Sequence, residues 1–163
     1  MIRVQDIRRA DKQITDWGKW QRGKMPRSAF PLSKPRNRAY RLGSAYRWRV
    51  VQFEAHGLAF RLLIAFSVEK EQYRAVLAFD AGRDMGILAS YEFHGTHPGW
   101  HVLGACGDIE RVPQGMMLGP WQRRFPKGRA YHRRKRFRVS DEDSALTVAA
   151  EFYRIHKAEG VML

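Results

Sequence analysis

The chain has a single cysteine, Cys106. That excludes an intramolecular disulfide framework and any cysteine-rich zinc module. Long apolar runs are missing too: the longest, Leu62 to Phe66, is far shorter than the ~20 residues of a membrane span. The first twenty residues have no apolar core and carry Asp6, Asp11 and Asp16, unlike a secretory signal. These absences predict a cytoplasmic protein with no membrane partner. The glycines Gly115, Gly119 and Gly128 are not followed by Gly-Lys-Ser/Thr, so there is no P-loop. A Gly-x-Ser-x-Gly elbow, a dinucleotide-binding fingerprint, an internal repeat and a low-complexity tract are also missing.

Carboxylates are scarce: 16 Asp+Glu face 30 Lys+Arg, and the net charge is +14. The excess is local. Residues 1–49 carry 14 basic and 3 acidic side chains, and residues 120–138 carry 9 basic and none acidic. Residues 50–119 and 139–163 are each mildly acidic. Two cationic segments on a near-neutral scaffold favour a polyanionic partner, because phosphates release counterions when Lys and Arg neutralise them. Trp17, Trp20, Phe30, Tyr40, Tyr46 and Trp48 are interleaved with the first segment, and Trp121, Phe125, Tyr131 and Phe137 with the second. Rings beside arginine suit stacked, unpaired bases. The alternative is that the aromatics anchor the core while the charges solubilise.

At 163 residues with 44% apolar content, the chain suits one domain with a real core. Its expected parts are a basic helix plus a Pro-rich arm over 1–44, a β-meander over 45–104, a long basic loop over 105–139 and a C-terminal helix over 140–158. The class is α+β, with an antiparallel sheet of about five strands and the N- and C-terminal helices packed on it. Ile7, Ala10, Ile14, Trp17 and Gln21 recur at helical spacing between Asp6 and Arg22. The strands are expected near 45–55, 58–68, 72–80, 86–94 and 99–104.

Register can be tested by pairing, since a one-residue slip turns every side chain to the other face. The pattern predicts Val68 opposite Tyr73, Phe66 opposite Ala75 and Arg61 opposite Asp80 across one hairpin. Across the next it predicts Phe79 opposite Ile87, Leu77 opposite Ala89 and Arg74 opposite Glu92. Across the third it predicts Tyr91 opposite Val102 and Glu92 opposite His101. A bulge at Val50-Val51 is needed to turn Arg49 away from Ile64 and bring Trp48 opposite it. An Arg-rich edge strand is expected near 130–138, and Ser140 caps the last helix.

The densest chemistry is His94-Gly95-Thr96-His97-Pro98-Gly99-Trp100-His101. His94, His97 and His101 could ligate one divalent transition metal such as zinc, leaving an open position for a hydrolase. Without metal, the row Arg74, Glu92 and His101, with His94 one step along, suits cleavage of RNA. Glu92 or His101 would be the base, His94 or His101 the acid, and Arg74 or Arg61 the phosphate clamp. The same groups could instead form an exposed polar stripe. Asp80, Asp84 and Glu92 suggest a two-carboxylate magnesium site only weakly. Cys106 is a nucleophile beside His101 or, by base frequency, a small buried hydrophobe.

The expected function is therefore nucleic-acid binding, RNA over DNA, with metal-independent endoribonuclease chemistry at Glu92, His94, His101 and Arg74. Arg47, Arg49, Arg123, Arg124, Arg133, Arg134, Lys135, Arg136, Trp121 and Tyr131 are the expected nucleic-acid contacts. The alternatives are a non-catalytic nucleoprotein or regulatory module that binds an acidic protein partner, and the His-ligated metal hydrolase.

Overall fold

The computed structural model describes residues 1–34, 41–94, 99–117, 119–125 and 136–156. In chain order its elements are helix α1 (Val4–Arg9), strands β1 (Gln13–Asp16), β2 (Gln21–Arg22), β3 (Arg47–Ala55), β4 (Leu58–Ser67), β5 (Gln72–Asp80), β6 (Met85–Phe93), β7 (His101–Ala105) and β8 (Gln122–Phe125), and helix α2 (Glu142–Tyr153). All strands join one antiparallel sheet of eight, ordered β1-β3-β4-β5-β6-β7-β8, with β2 also on β3. The class is the expected α+β. The meander β3 to β7 matches the five strands read from the sequence, and β1, β2 and β8 are additions to it. No helix among the described residues is long and apolar enough to cross a membrane.

The N-terminal helix is much shorter than the spacing over 6–22 implied. It ends at Ala10, and the chain turns into β1 and β2 along the edge of β3. Gly18 accounts for the change. It sits at φ 67, and a Cβ there would lie 2.2 Å from the Val50 carbonyl oxygen. Backbone this close to β3 is incompatible with a helix, and it delivers the Trp17 and Gly18 carbonyls to Arg49. The Arg49 guanidinium donates to them at 2.7 and 3.1 Å and is only 3% exposed. Arg49 therefore stays opposite Ile64 and Trp48 opposite Ala65, with no bulge at Val50-Val51.

The other registers keep their predicted faces with two adjustments. The β4–β5 hairpin closes at Ser67 and Gln72, with Glu71 at φ 48, so Phe66 pairs with Tyr73 and Arg61 with Ala78. Each expected pair is displaced by two residues, which preserves the side-chain face. Arg61 still reaches Asp80 diagonally, at 3.0 Å. Between β5 and β6, Leu77–Ala89 and Arg74–Glu92 hold, but an irregularity after Leu77 leaves Phe79 opposite Gly86 rather than Ile87. Tyr91–Val102 and Glu92–His101 pair as expected.

Both faces of the sheet are covered. One carries Val51, Phe53, Leu62, Ile64, Phe66, Tyr73, Ala75 and Leu77 beneath α1 and α2. Two buried phenols fix α2: Tyr73 donates to the Ala145 carbonyl at 2.8 Å, and Tyr153 donates to the Ala75 carbonyl at 2.7 Å. Asp141, not Ser140, caps this helix, accepting from the Ser144 amide at 2.8 Å. The opposite face carries Trp48, Val50, Leu63, Ala65, Val76, Ala78 and Ile87 beneath Met25, Phe30, Leu32 and Met117. Residues 24–34 are thus a packed cover rather than an outstretched arm. Trp48 Nε1 donates to Gly23 O at 2.9 Å, and Arg61 donates to Ala29 O at 2.9 Å. The stretch 105–139 begins with the end of β7 and contains β8. The proposed Arg-rich strand near 130–138 lies mostly outside the described residues. Cys106 is exposed rather than buried.

Candidate functional site

Antiparallel pairing lines up a row across the second face: Trp48, Ala65, Arg74, Glu92 and His101 on β3 to β7. Register carries Tyr46, Ser67, Gln72 and His94 onto the next row of the same face, because side chains repeat every two residues. The apolar cover reaches the first row at Trp48 and Ala65. At the β6–β7 end the face becomes polar.

Glu92 is the centre of that end. Only 4% exposed, its carboxylate divides its partners. Oε1 accepts from Ser90 Oγ at 2.6 Å and lies 3.4 Å from Arg74 Nε. Oε2 lies 2.6 Å from His94 Nε2 and 3.4 Å from His101 Nε2. Burial pushes the Glu92 carboxyl up, but His101, His94, Arg74 and Ser90 together outweigh it and hold it well below the usual carboxylate range. Glu92 is thus ionised at neutral pH and is too weakly basic to take a proton from a hydroxyl. Glu92, one of the two bases the sequence offered, is instead an acceptor held among His94, His101, Arg74 and Ser90.

His101 is equally buried, and its Nδ1 faces the Gly99 carbonyl at 3.1 Å. His94 is partly exposed and looks into a cavity of about 120 Å³. Arg41, Tyr46, Gln72 and Arg74 line the same cavity, and no acidic side chain does so among the described residues. Tyr46 hydrogen-bonds Gln72, and burial raises its phenol, so it is neutral at pH 7. Two guanidinium groups, a phenol, an amide and an imidazole around a small cavity form an anion-binding environment.

The structure brings together Arg74, Glu92, His94 and His101. His97, Tyr131, Arg133, Arg134 and Lys135 lie outside the described residues. Arg47 is exposed and paired with Glu142 at 2.5 Å. Arg49 points into the fold, so it is withdrawn as a nucleic-acid contact. Arg123 and Arg124 are exposed on the edge strand β8, and Arg136 is exposed. Trp121 is half-buried against the first core, with Nε1 donating to Ile87 O at 3.4 Å. Sequence reasoning missed Ser90, Gln72 and Arg41, and offered Tyr46 only as one of the stacking rings of the first basic segment. Ser90 was reachable by strand periodicity, two residues before Glu92. Arg41 precedes β3, and no local pattern tied it to β5.

Among the described residues, the carboxylate ion pairs of arginine are Arg47–Glu142, Arg61–Asp80 and Arg74–Glu92. The fold therefore leaves most of the described cationic surface unneutralised by carboxylates. No family model, no curated protein and no solved structure matches the chain.

Proposed function

We propose that the protein binds nucleic acid, RNA in preference to DNA, and cleaves its backbone at the His94 cavity without a metal. The observation that carries this is the 2.6 Å contact between His94 Nε2 and the ionised, buried Glu92, at the wall of a cavity whose only charged groups among the described residues are Arg41 and Arg74. With Nε2–H donated to Glu92, neutral His94 presents Nδ1 as a base. It takes the 2′-hydroxyl proton, the 2′-oxygen bonds to phosphorus, and the bond to the 5′-oxygen breaks. The imidazolium, stabilised by Glu92, returns the proton to the leaving oxygen. Arg74 and Arg41 hold the charged phosphorane. Arg123, Arg124 and Arg136, with the basic run Arg133, Arg134 and Lys135, guide the strand electrostatically. RNA is preferred because this reaction needs a 2′-hydroxyl.

A second reading, a binder without catalysis, is favoured by the burial of Glu92 and His101, which suits a structural charge lock. Cleavage of a labelled single-stranded RNA in excess chelator separates the two. Cleavage lost in His94→Ala and Arg74→Ala, with RNA affinity retained, supports the enzyme. Binding without cleavage by the wild type leaves the non-catalytic module, and neither activity directs attention to an acidic protein partner.

A further inference from the structure

We infer that Glu92, His94 and His101 form a binding site for one divalent transition-metal ion of the zinc class. The donors are in place: Glu92, His94 and His101 each offer one ligand atom, and these atoms all lie within 4.8 Å of one another. This set differs from the sequence-derived trio, because Glu92 replaces His97.

The geometry at His101 suits a cation. Gly99 O can only accept, so the 3.1 Å contact places the hydrogen on Nδ1. That leaves Nε2 as the ring nitrogen facing Glu92 Oε2, across 3.4 Å in a buried site. The gap is longer than the roughly 2.7–2.9 Å of a charge-assisted hydrogen bond. It equals the spacing of two ligands on a tetrahedral ion with bonds of about 2.1 Å.

The surroundings resemble the outer support that metal sites need. Ser90 and Arg74 occupy Glu92 Oε1 and leave Oε2 to the imidazoles. The Gly99 carbonyl fixes the ring orientation and tautomer of His101. His94 directly follows β6, with a side chain 20% exposed, so it has room to open its 2.6 Å contact by the ~0.5–1 Å that an ion requires. Of the three ligands, His94 also borders the arginine-lined cavity. Borderline nitrogen and oxygen donors select zinc, cobalt or nickel over magnesium and calcium.

This site regulates the proposed chemistry, and to that extent the regulatory part rests on the ribonuclease reading. A metal on His94 Nε2 leaves the hydrogen on Nδ1, so the base is lost. Metal-loaded protein is then inactive toward RNA.

The test uses the full chain, stripped with chelator and dialysed, then titrated with Co²⁺ and back-titrated with Zn²⁺. One equivalent of Co²⁺ giving a tetrahedral ligand-field spectrum, displaced by Zn²⁺, is expected. Glu92→Gln and His101→Gln should each weaken binding at least tenfold, and His97→Ala should leave it unchanged. No cobalt spectrum in the wild type overturns the inference without reliance on any variant. So does unaltered binding in a folded Glu92→Gln protein, or abolition by His97→Ala. RNA cleavage is measured in the same samples before and after metal addition: cleavage by a protein that takes up no Co²⁺ sinks the metal site alone, whereas Co²⁺ uptake by a protein that cleaves RNA neither stripped nor loaded sinks the ribonuclease reading alone.

Discussion

Glu92 and His101 stand opposite each other on β6 and β7, with Glu92 Oε2 3.4 Å from His101 Nε2 and both residues buried. An ionised carboxylate is thereby held between two imidazoles and an arginine. Its energy depends on pH in a definite direction. The folded carboxyl titrates below its ordinary value of 4.5, so as pH falls the unfolded chain takes up the proton first. The stabilisation is complete above pH 4.5 and is lost as pH falls toward the folded value. Urea unfolding of metal-free protein should show stability falling steadily below that point. Glu92→Gln should be less stable at pH 7 and have a shallower acid limb. Equal acid limbs would show that another group controls acid unfolding.

The reciprocal phenol bonds between β5 and α2 give a stability prediction with no chemistry attached. Tyr153→Phe removes the donor from the buried Ala75 carbonyl and should cost about 1–2 kcal/mol, read as a lower urea midpoint. RNA affinity should not change, because this contact lies on the face opposite the cavity.

Arg49 and Gly18 form one device. Arg49→Met leaves two carbonyls without their donor and should cost about 2 kcal/mol or more. Gly18→Ala drives a Cβ into the Val50 carbonyl at positive φ and should cost more than about 3 kcal/mol. Intact stability in Arg49→Met together with weaker RNA binding would return Arg49 to the nucleic-acid surface.

Much of this architecture was legible locally. The Arg74–Glu92–His101 row follows from alternation and two short hairpins, and it survives the irregularity after Leu77 because that lies beyond the row. The run Leu62 to Phe66 carries a further signal. Five consecutive apolar residues mean a strand buried on both faces, and Leu63 and Ala65 pack under Met25, Phe30 and Leu32 while Leu62, Ile64 and Phe66 pack under the helices. An exposed catalytic row and a free arm both require an open polar face, which this double burial excludes over most of the sheet. The N-terminal strands were hidden for a different reason. Ile14 and Trp17 fit a helical period, and only the close approach of Gly18 to β3, a tertiary contact, overrides it.

Edge strand β8 supplies the test of electrostatic guidance. Arg123 and Arg124 are exposed there, and neither pairs with a carboxylate among the described residues. Neutralising each should lower the slope of log affinity against log salt by about 1 for a single-stranded RNA, with the fold unchanged. An unaltered slope would place the RNA path elsewhere.

The central claim is that His94, polarised by Glu92, moves the proton during backbone cleavage. Single-turnover cleavage of a defined RNA in excess chelator, compared between wild type and His94→Ala, tests it most directly. The account predicts a 2′,3′-cyclic phosphate and a 5′-hydroxyl from the wild type, and a rate about 10²–10⁴-fold lower in the variant. Equal rates, or a DNA strand cleaved as readily as RNA, would contradict it.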